Sequence, residues 1–278
     1  IEKLGSAQCK SSIMLGAIKT PGTTIIKAKK SRNHTELIYQ FLKIPIKFIK
    51  KKQYDLIEVR GPSNFSGFNY IVPGDISSAA FFIVLTLLSK NSKIILRNIN
   101  VNSSRIGIIK ILNRMNANIF LKNKRLYNGE NIGDIIVKSR DNLTSINSPK
   151  NLNSSAIDEF LVIFLVAAKA KGISKFRDLS ELNKKESPRL EIALKFLSQI
   201  GVKYSRKSDN IKIYGNPNLK LNGEYFIKNF RKDHRVFMMS CIAALTFGGK
   251  WKIDDKDSIN TSFPIFLKLL KKLGAKIN

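Results

Sequence analysis

Charged side chains are grouped at the starts of several apolar segments, where they could bind anions and move protons. The groups are residues 158–159 (Asp-Glu), 185–189 (Lys-Glu-Ser-Pro-Arg) and 233–235 (Asp-His-Arg). The first turn of a helix exposes backbone N–H groups and carries a partial positive charge, so anions bind there. Cations and carboxylates this close together shift one another's pKa values, as is common at catalytic sites. We therefore expect these groups to bind an anionic substrate, with Asp158 as a candidate general base.

Part of each group also has a purely structural explanation. Ser187 suits a helix N-cap and Pro188 the first helical position. An acidic residue such as Asp158 stabilises the first turn of a helix, and Ser6, which precedes another apolar segment, is a possible cap. Both explanations stay open for these residues, whereas packing alone does not account for His234 and its two charged neighbours.

A repeated unit is expected to position these groups. It recurs about four times and begins with an apolar helix and a strand. The helices are expected at 11–19, 77–89, 158–169 and 234–247, and the strands at 22–27, 93–99, 172–179 and 249–254. An amphipathic helix follows, with apolar residues at the i, i+3, i+4, i+7 spacing, and it ends at Asn116, Gly201 or Gly274, which suit a left-handed cap. Further strands are expected at 117–121, 134–138, 202–204, 210–214 and 275–277. The pattern βαβαββ predicts an α/β protein with layered packing.

The composition is that of one or two packed domains, with 43% hydrophobic residues among 278. The longest apolar runs, 79–88 and 160–168, fall short of the roughly 18–20 residues that a membrane helix needs, so we expect no membrane association. Two cysteines and two histidines are too few for a disulfide framework or a zinc site, and a reducing cytoplasm is expected.

The net charge of +29 would attract any polyanion. A basic nucleic-acid-binding protein is therefore one alternative. The basic residues are scattered, however, and no zinc-finger spacing, heptad repeat or aromatic RNA-binding signature accompanies them. We expect small anionic substrates rather than nucleic acid.

Seven motifs resemble, in order, those of the 5-enolpyruvylshikimate-3-phosphate synthase (EPSP synthase) family, and the match to the bacterial class II form is the closer one. The motifs are Ser6-Ala7-Gln8 with Lys10-Ser11, Ser31-Arg32-x-His34-Thr35-Glu36, Pro73-Gly74-Asp75-x-Ser77-Ser78-Ala79, Ile157-Asp158-Glu159, Lys185-Glu186-Ser187-x-Arg189-Leu190, Asp233-His234-Arg235 and Thr261-Ser262-Phe263-Pro264. Each motif alone is weak, but seven in the family's order are specific.

The resemblance implies two inside-out α/β domains built from βαβαββ units, with the active site between them. Residues 1–72 would be the end of an incomplete first domain, and residues 73–278 the second domain. Residue 1 is Ile, and the family's N-terminal substrate-binding Lys-Ser, Arg and Gly-rich loop have no counterpart. We expect the chain to be the C-terminal part of a longer, monomeric enzyme.

The reaction implied is transfer of the enolpyruvyl group of phosphoenolpyruvate to the 5-hydroxyl of shikimate 3-phosphate, with release of phosphate and without metal or organic cofactor. The resemblance assigns the phosphate of shikimate 3-phosphate to Ser6, Ala7 and Arg32, and places Gln8 between the two substrates. Asp158 would bind shikimate hydroxyls and accept a proton, and Lys185 would contact shikimate 3-phosphate. Glu186 would transfer a proton at the phosphoenolpyruvate methylene, Arg189 and Arg235 would bind its carboxylate, and His234 would support the site.

Three positions depart from the family pattern. Pro188 replaces the usual Asp, Asn183 stands where Arg is common, and Asn116 replaces a cap Gly. Loss of an ion pair beside Arg189 is expected to weaken catalysis, although activity of the complete protein is still expected. The nearest enzymatic alternative is enolpyruvyl transfer to a UDP-sugar, and a third possibility is a folded remnant without activity.

Overall fold

Helices and short strands alternate along the chain in a computed structural model that describes residues 1–3 and 5–277. The helices are α1 (Ala7–Ala17), α2 (His34–Phe41), α3 (Ile76–Leu88), α4 (Gly107–Arg114), α5 (Asn153–Ala156), α6 (Phe160–Lys169), α7 (Arg189–Gln199), α8 (His234–Phe247) and α9 (Phe266–Lys272). The strands are β1 (Gly22–Lys29), β2 (Ile46–Lys50), β3 (Tyr54–Gly61), β4 (Lys93–Asn100), β5 (Asn118–Tyr127), β6 (Glu130–Lys138), β7 (Gly172–Phe176), β8 (Tyr204–Lys207), β9 (Asn210–Gly215), β10 (Glu224–Ile227) and β11 (Lys250–Ile253).

The same small sheet recurs along the chain. Three antiparallel sheets have the orders β1-β3-β2, β4-β6-β5 and β7-β9-β8, so the last strand of each unit lies in the middle. Parallel bridges such as Glu2 to Ala28, Gly74 to Ile99 and Thr144 to Lys171 mark the first strand of each unit. In the fourth unit this first strand is β10, which pairs in parallel with β11. The βαβαββ repeat and the α/β fold class are therefore confirmed.

Two local expectations are wrong. Residues 275–277 form no strand, because the second strand of a unit pairs only with the last one and the described residues contain no last strand for the fourth unit. The helix expected from residue 158 begins at Phe160, so Asp158 lies in a turn between α5 and α6. Strands β2, β3 and β10 were not expected from the sequence.

Helices α3, α6 and α8 pack against one another at the centre of the larger hydrophobic cluster. Residues 160–168 of α6 are all buried, as expected for a helix that is apolar on every side. A separate, smaller cluster contains Met14, Ile26, Ile57 and other residues of α1 to β3. None of the helices in the described part of the chain has the length and hydropathy of a membrane-spanning segment.

The amphipathic helices bury most of their expected stripes. The expected stripes at 108, 111, 112 and 115 and at 190, 193, 194 and 197 are buried throughout. Leu273, the last position of the stripe expected at 266, 269, 270 and 273, is 56% exposed. Asn116, Gly201 and Gly274 have φ values of 67°, 73° and 95°, so the expected left-handed caps are confirmed. After Asn116 and Gly201, these caps turn the chain toward the strands β5 and β8.

Candidate active site

Four cationic side chains surround the carboxylate of Asp158. Arg32 Nη2 contacts Oδ2, and Arg189 Nη1 lies 3.2 Å from Oδ1. Lys185 Nζ is 3.9 Å from Oδ1, and Arg235 Nη2 is 3.8 Å from Oδ2. Arg235 Nη1 also donates a hydrogen bond of 3.3 Å to the backbone oxygen of Asp158. The fold thus gathers five of the expected site residues, from four separate segments of the chain, at one point.

The Asp158 carboxyl is held in its ionised form. Burial by itself would raise its pKa, but the charges of Arg235, Arg32, Lys185 and Arg189 outweigh burial and hold the pKa well below the usual carboxyl range. The turn between two helices places this carboxylate against the cations. Asp158 is thus the anionic partner that these four cations share.

Arg189 connects the groups at 185–189 and 233–235. Its side chain is only 1% exposed, and its Nε donates to Asp233 Oδ2 at 2.9 Å. Its Nη2 donates to Glu186, while Ser187 Oγ donates to Asp233 Oδ2 at 2.7 Å. Asp233 also accepts a hydrogen bond from the backbone N–H of Arg235 at 2.9 Å and so caps α8. One buried carboxylate thereby orients both arginines that were expected to bind a carboxylate.

His234 begins α8 and is partly buried. Burial lowers its pKa, and the charge of Arg235 lowers it further, against the opposing effect of Asp233. A neutral imidazole is therefore favoured at neutral pH. Within residues 1–3 and 5–277, no hydrogen bond or ion pair joins His234 to Asp158 or its four cations.

Residues 6–8 form the start of α1 and stay outside the Asp158 cluster. Ser6 is the N-cap, since its Oγ accepts a hydrogen bond from the Cys9 backbone N–H at 3.3 Å. Gln8 is exposed and Ala7 is partly buried. The start of α1 lies beside the Arg32 segment because buried Lys10 donates to the Arg32 carbonyl at 2.7 Å. Lys10 therefore faces protein groups rather than an open anion site.

A second polar network, which links Ser77 and Arg105 to Glu159, lies next to Asp158. The Ser77 hydroxyl donates to Glu159, which is fully buried and has its pKa raised by that burial. Arg105 Nη2 donates to Ser77 Oγ at 2.7 Å and to Asp75 Oδ1 at 2.9 Å. Asp75 in turn caps α3. The capping signal at Asp75 was readable from the sequence, whereas the contacts across 82 residues to Glu159 were not.

His34 pairs with a distant carboxylate rather than with its own helix start. Its Nδ1 contacts Glu130, whose other oxygen accepts a hydrogen bond from Asn102 Nδ2 at 3.1 Å. Asn102 Nδ2 also lies 3.0 Å from Asn33 Oδ1. His34 and Glu130 line a cavity of about 340 Å³ together with Arg105. These contacts join residues 33–34 to the segment after β4.

Asn183 takes over the capping role that Pro188 cannot fill. Pro188 precedes α7 and makes no side-chain capping bond. Asn183 Oδ1 instead accepts hydrogen bonds from the backbone N–H groups of Leu190 at 3.0 Å and Glu191 at 3.3 Å. Its Nδ2 also donates to Glu191 Oε1 at 3.0 Å. The two departures from the family pattern thus act at the same helix end.

Within the described residues, no group of three or more histidine, cysteine, aspartate or glutamate side chains is arranged to hold a metal ion.

Comparisons with known proteins agree with the sequence motifs. A profile of the family described as EPSP synthase (3-phosphoshikimate 1-carboxyvinyltransferase) matches residues 2–270. A 3-phosphoshikimate 1-carboxyvinyltransferase of Petrotoga mobilis is 34% identical over 272 residues, which are 97% of this chain and 61% of that protein. One from Vesicomyosocius okutanii is 38% identical over 276 residues, 99% of this chain and 62% of that protein.

Solved structures give the same result. An EPSP synthase from Acinetobacter baumannii superimposes with a TM-score of 0.88 at 32% identity, over 98% of this chain and 61% of that one. The enolpyruvyl transferase NikO from Streptomyces tendae shares the fold, with a TM-score of 0.71 at 16% identity, over 97% of this chain and 59% of that one. The chain spans about three-fifths of the length of the curated relatives it matches.

Proposed function

Because the chain belongs to the EPSP synthase family, we propose that the protein containing it transfers the enolpyruvyl group of phosphoenolpyruvate to the 5-hydroxyl of shikimate 3-phosphate, with release of phosphate. This reaction is the shikimate-pathway step that leads toward chorismate and the aromatic amino acids. The observation that carries the proposal is the cluster of Arg32, Lys185, Arg189 and Arg235 around Asp158. Both substrates carry a phosphate and a carboxylate, and such a cluster suits both.

Shikimate 3-phosphate is assigned to the face formed by α1 and Arg32. The backbone N–H groups at the start of α1, near Ser6 and Ala7, and the guanidinium of Arg32 would hold its phosphate. Gln8 is exposed at the same helix start and would lie between the two substrates. Lys185, which lies 3.9 Å from Asp158, would contact the same substrate.

Phosphoenolpyruvate is assigned to Arg189 and Arg235. The planar fork of arginine binds both oxygens of a carboxylate, which lysine does not reproduce. Arg189 is buried and held by Asp233, so little side-chain freedom would be lost when the substrate binds. Such preorganised charge is an effective way to stabilise charge that develops during reaction.

Asp158 and Glu186 are assigned to proton transfer. The shikimate 5-hydroxyl would add to C2 of phosphoenolpyruvate, giving its proton to Asp158 while C3 receives a proton from Glu186. Loss of phosphate and of one C3 proton then restores the double bond. Substrate anions would offset the four cations, so the pKa of Asp158 would rise from its low value, and the carboxylate would become a better proton acceptor. His234 would support the site without touching the reacting atoms.

The decisive experiment measures phosphate release from phosphoenolpyruvate by the product of the complete reading frame. Release with shikimate 3-phosphate, and none with a UDP-sugar acceptor, is the expected result. The Arg235→Ala variant should lose about 100-fold in kcat/KM for phosphoenolpyruvate, because a charge-assisted pair is removed. Turnover with the UDP-sugar alone, or unchanged turnover of the variant, would contradict the proposal.

Nucleic-acid binding is the alternative from another class, and the net charge of +29 favours it. It predicts tight duplex binding whose affinity falls steeply with salt concentration. Weak retention on DNA in moderate salt would exclude it.

We also propose a division into residues 1–72, the end of one domain, and residues 73–278, a second domain. Two separate hydrophobic clusters support it, one within residues 14–59 and the other within residues 76–270. We further propose that the complete protein is a monomer in the cytoplasm. Sedimentation of the complete protein would test the oligomeric state.

A further inference from the structure

Lys10 is a lysine buried in the smaller hydrophobic part of the chain. Its side chain is 1% exposed, and its ammonium forms an ion pair with Glu36, which is equally buried. Lysine is almost never fully buried unless it is paired. The same ammonium donates a second hydrogen bond, of 2.7 Å, to the backbone carbonyl of Arg32.

These contacts join two segments that are distant in sequence. Lys10 belongs to α1, whose start contains Ser6, whereas Arg32 and Glu36 lie between β1 and the first turns of α2. A second link between the same helices is the hydrogen bond between the hydroxyls of Ser11 and Thr35. The two helix starts are thereby held in a fixed relation.

Stability alone does not explain why this pair is ionic. A buried ion pair is commonly no more stabilising than an apolar pair of similar volume, because both charges must leave water. The arrangement is also incompletely satisfied, since Glu36 Oε2 and Asp55 Oδ1 are buried without a hydrogen-bond partner among the described residues. An apolar side chain at position 10 could not donate to the Arg32 carbonyl.

The position of that carbonyl matters for the candidate active site. Arg32 is the one cation of the Asp158 cluster that comes from the chain before residue 73, and its guanidinium contacts the Asp158 carboxylate. Its side chain is 29% exposed, so packing alone constrains it weakly. A fixed backbone therefore contributes much of its placement.

We propose that Lys10 is a positioning residue that anchors the backbone of Arg32 and so aims its guanidinium into the anion-binding cluster. The identity of the bound anion, the phosphate of shikimate 3-phosphate, rests on the proposed function. The anchoring itself is a property of the fold and can be measured without turnover.

Three variants of the full-length protein test the anchoring. Glu36→Gln keeps the Lys10 donor to the Arg32 carbonyl and replaces the carboxylate by a neutral oxygen acceptor, and thermal unfolding measures the cost of the unpaired ammonium. Lys10→Met combined with Glu36→Gln removes that donor without leaving a charge buried alone. Lys19→Met, at an exposed position after the same helix, is the matched control.

The measurements are KM for each substrate, kcat, thermal unfolding and hydrogen exchange of the segment 31–41. The Lys10→Met/Glu36→Gln variant should raise KM for shikimate 3-phosphate at least about fivefold above Glu36→Gln, the equivalent of one hydrogen bond. KM for phosphoenolpyruvate should change by less than about twofold, since Arg189 and Arg235 are untouched. Exchange in segment 31–41 should become faster than in Glu36→Gln.

Equal KM values for shikimate 3-phosphate and equal exchange in the Glu36→Gln and Lys10→Met/Glu36→Gln variants would overturn the proposal. If the double variant does not fold, exchange in the unaltered protein decides: the amides of residues 37–41, of which Leu37 is the first to donate within α2, should be about as protected as those of β1 and β3, and rapid exchange there would overturn the proposal. A wild-type protein without turnover would refute the proposed function instead, and the exchange comparison would still test the anchor.

Discussion

The most informative perturbation is Asp233→Ala, because this one buried carboxylate binds both the Arg189 side chain and the Arg235 backbone N–H. Asp233 has no exposed side-chain surface and binds Arg189 Nε at 2.9 Å. It also accepts hydrogen bonds from Ser187 Oγ at 2.7 Å and from the Arg235 backbone N–H at 2.9 Å. Its removal would leave Arg189, 1% exposed, with only Glu186 and Asp158 as anionic partners.

The expected cost follows from these contacts. Removing one partner of a buried ion pair costs about 3–5 kcal/mol, and the lower end applies because Arg189 keeps two carboxylates. Loss of the α8 cap adds about 1 kcal/mol. The free energy of unfolding should therefore fall by about 4 kcal/mol. Asp233→Asn, which retains an oxygen for the cap, should lose about 1 kcal/mol less.

Urea unfolding followed by the fluorescence of Trp251 measures this directly. Trp251 is the only tryptophan, and it stacks on Tyr225 and Phe196 within the part of the chain that contains Asp233. With a slope of about 2–3 kcal/mol/M, the midpoint should fall by about 1.5 M urea without a change in slope. Asp141→Ala, at an exposed position, is the control.

The stability difference between wild type and Asp233→Ala should also depend on pH. Burial by itself would raise the pKa of Asp233, but Arg189 and the hydrogen bonds outweigh burial and lower it. A carboxyl whose folded-state pKa is lowered stabilises the fold above the ordinary carboxyl range, and this stabilisation is lost as the pH falls. The difference between wild type and Asp233→Ala should therefore shrink below about pH 4. A loss under about 1 kcal/mol at neutral pH, or a difference that grows in acid, would refute this reasoning.

Three further predictions concern other sites. Burial raises the pKa of Cys241 to about 12, whereas Cys9 is exposed. Iodoacetamide should therefore label only Cys9 in the folded protein and both thiols in urea. Labelling of both thiols in the folded protein would contradict this. Burial raises the pKa of Glu159, so ionisation of this group destabilises the wild-type protein as the pH rises. In thermal unfolding, the stability of Glu159→Gln relative to wild type should therefore be greater at about pH 8 than at about pH 5. The same pH dependence in both proteins would contradict this. Asn183→Ala should lose about 1 kcal/mol in urea unfolding, and Pro188→Asp should restore part of this loss. An unchanged stability of Asn183→Ala would show that Asn183 does not act as the α7 cap.

Local patterns made the fold readable from the sequence. The apolar stripes of α4 and α7 and the left-handed caps at Asn116 and Gly201 depend on neighbours within a few residues, and the structure confirms them. Prediction failed where an element depends on a distant strand. Residues 275–277 have the composition of a strand, but a strand forms only when another lies beside it.

The members of the candidate site were also readable, because charged groups at helix starts stand out against apolar segments. Their partners were not. Lys10 stood in the sequence only as part of a family motif, and the structure shows that it is buried against Glu36 and the Arg32 carbonyl. From Asn183 and Pro188 the sequence predicted only the loss of an ion pair, whereas the structure shows that Asn183 caps α7.

The sequence by itself determined the repeated unit, the family motifs and the cationic and acidic residues available for chemistry, since these follow from local periodicity and residue type. Only the tertiary structure decided that Arg32 meets Asp158 across 126 residues, that Asp233 holds Arg189, and that Glu159 is buried against Ser77. The physical reason is that ion pairing and desolvation depend on distance and burial, which are set when the helices pack.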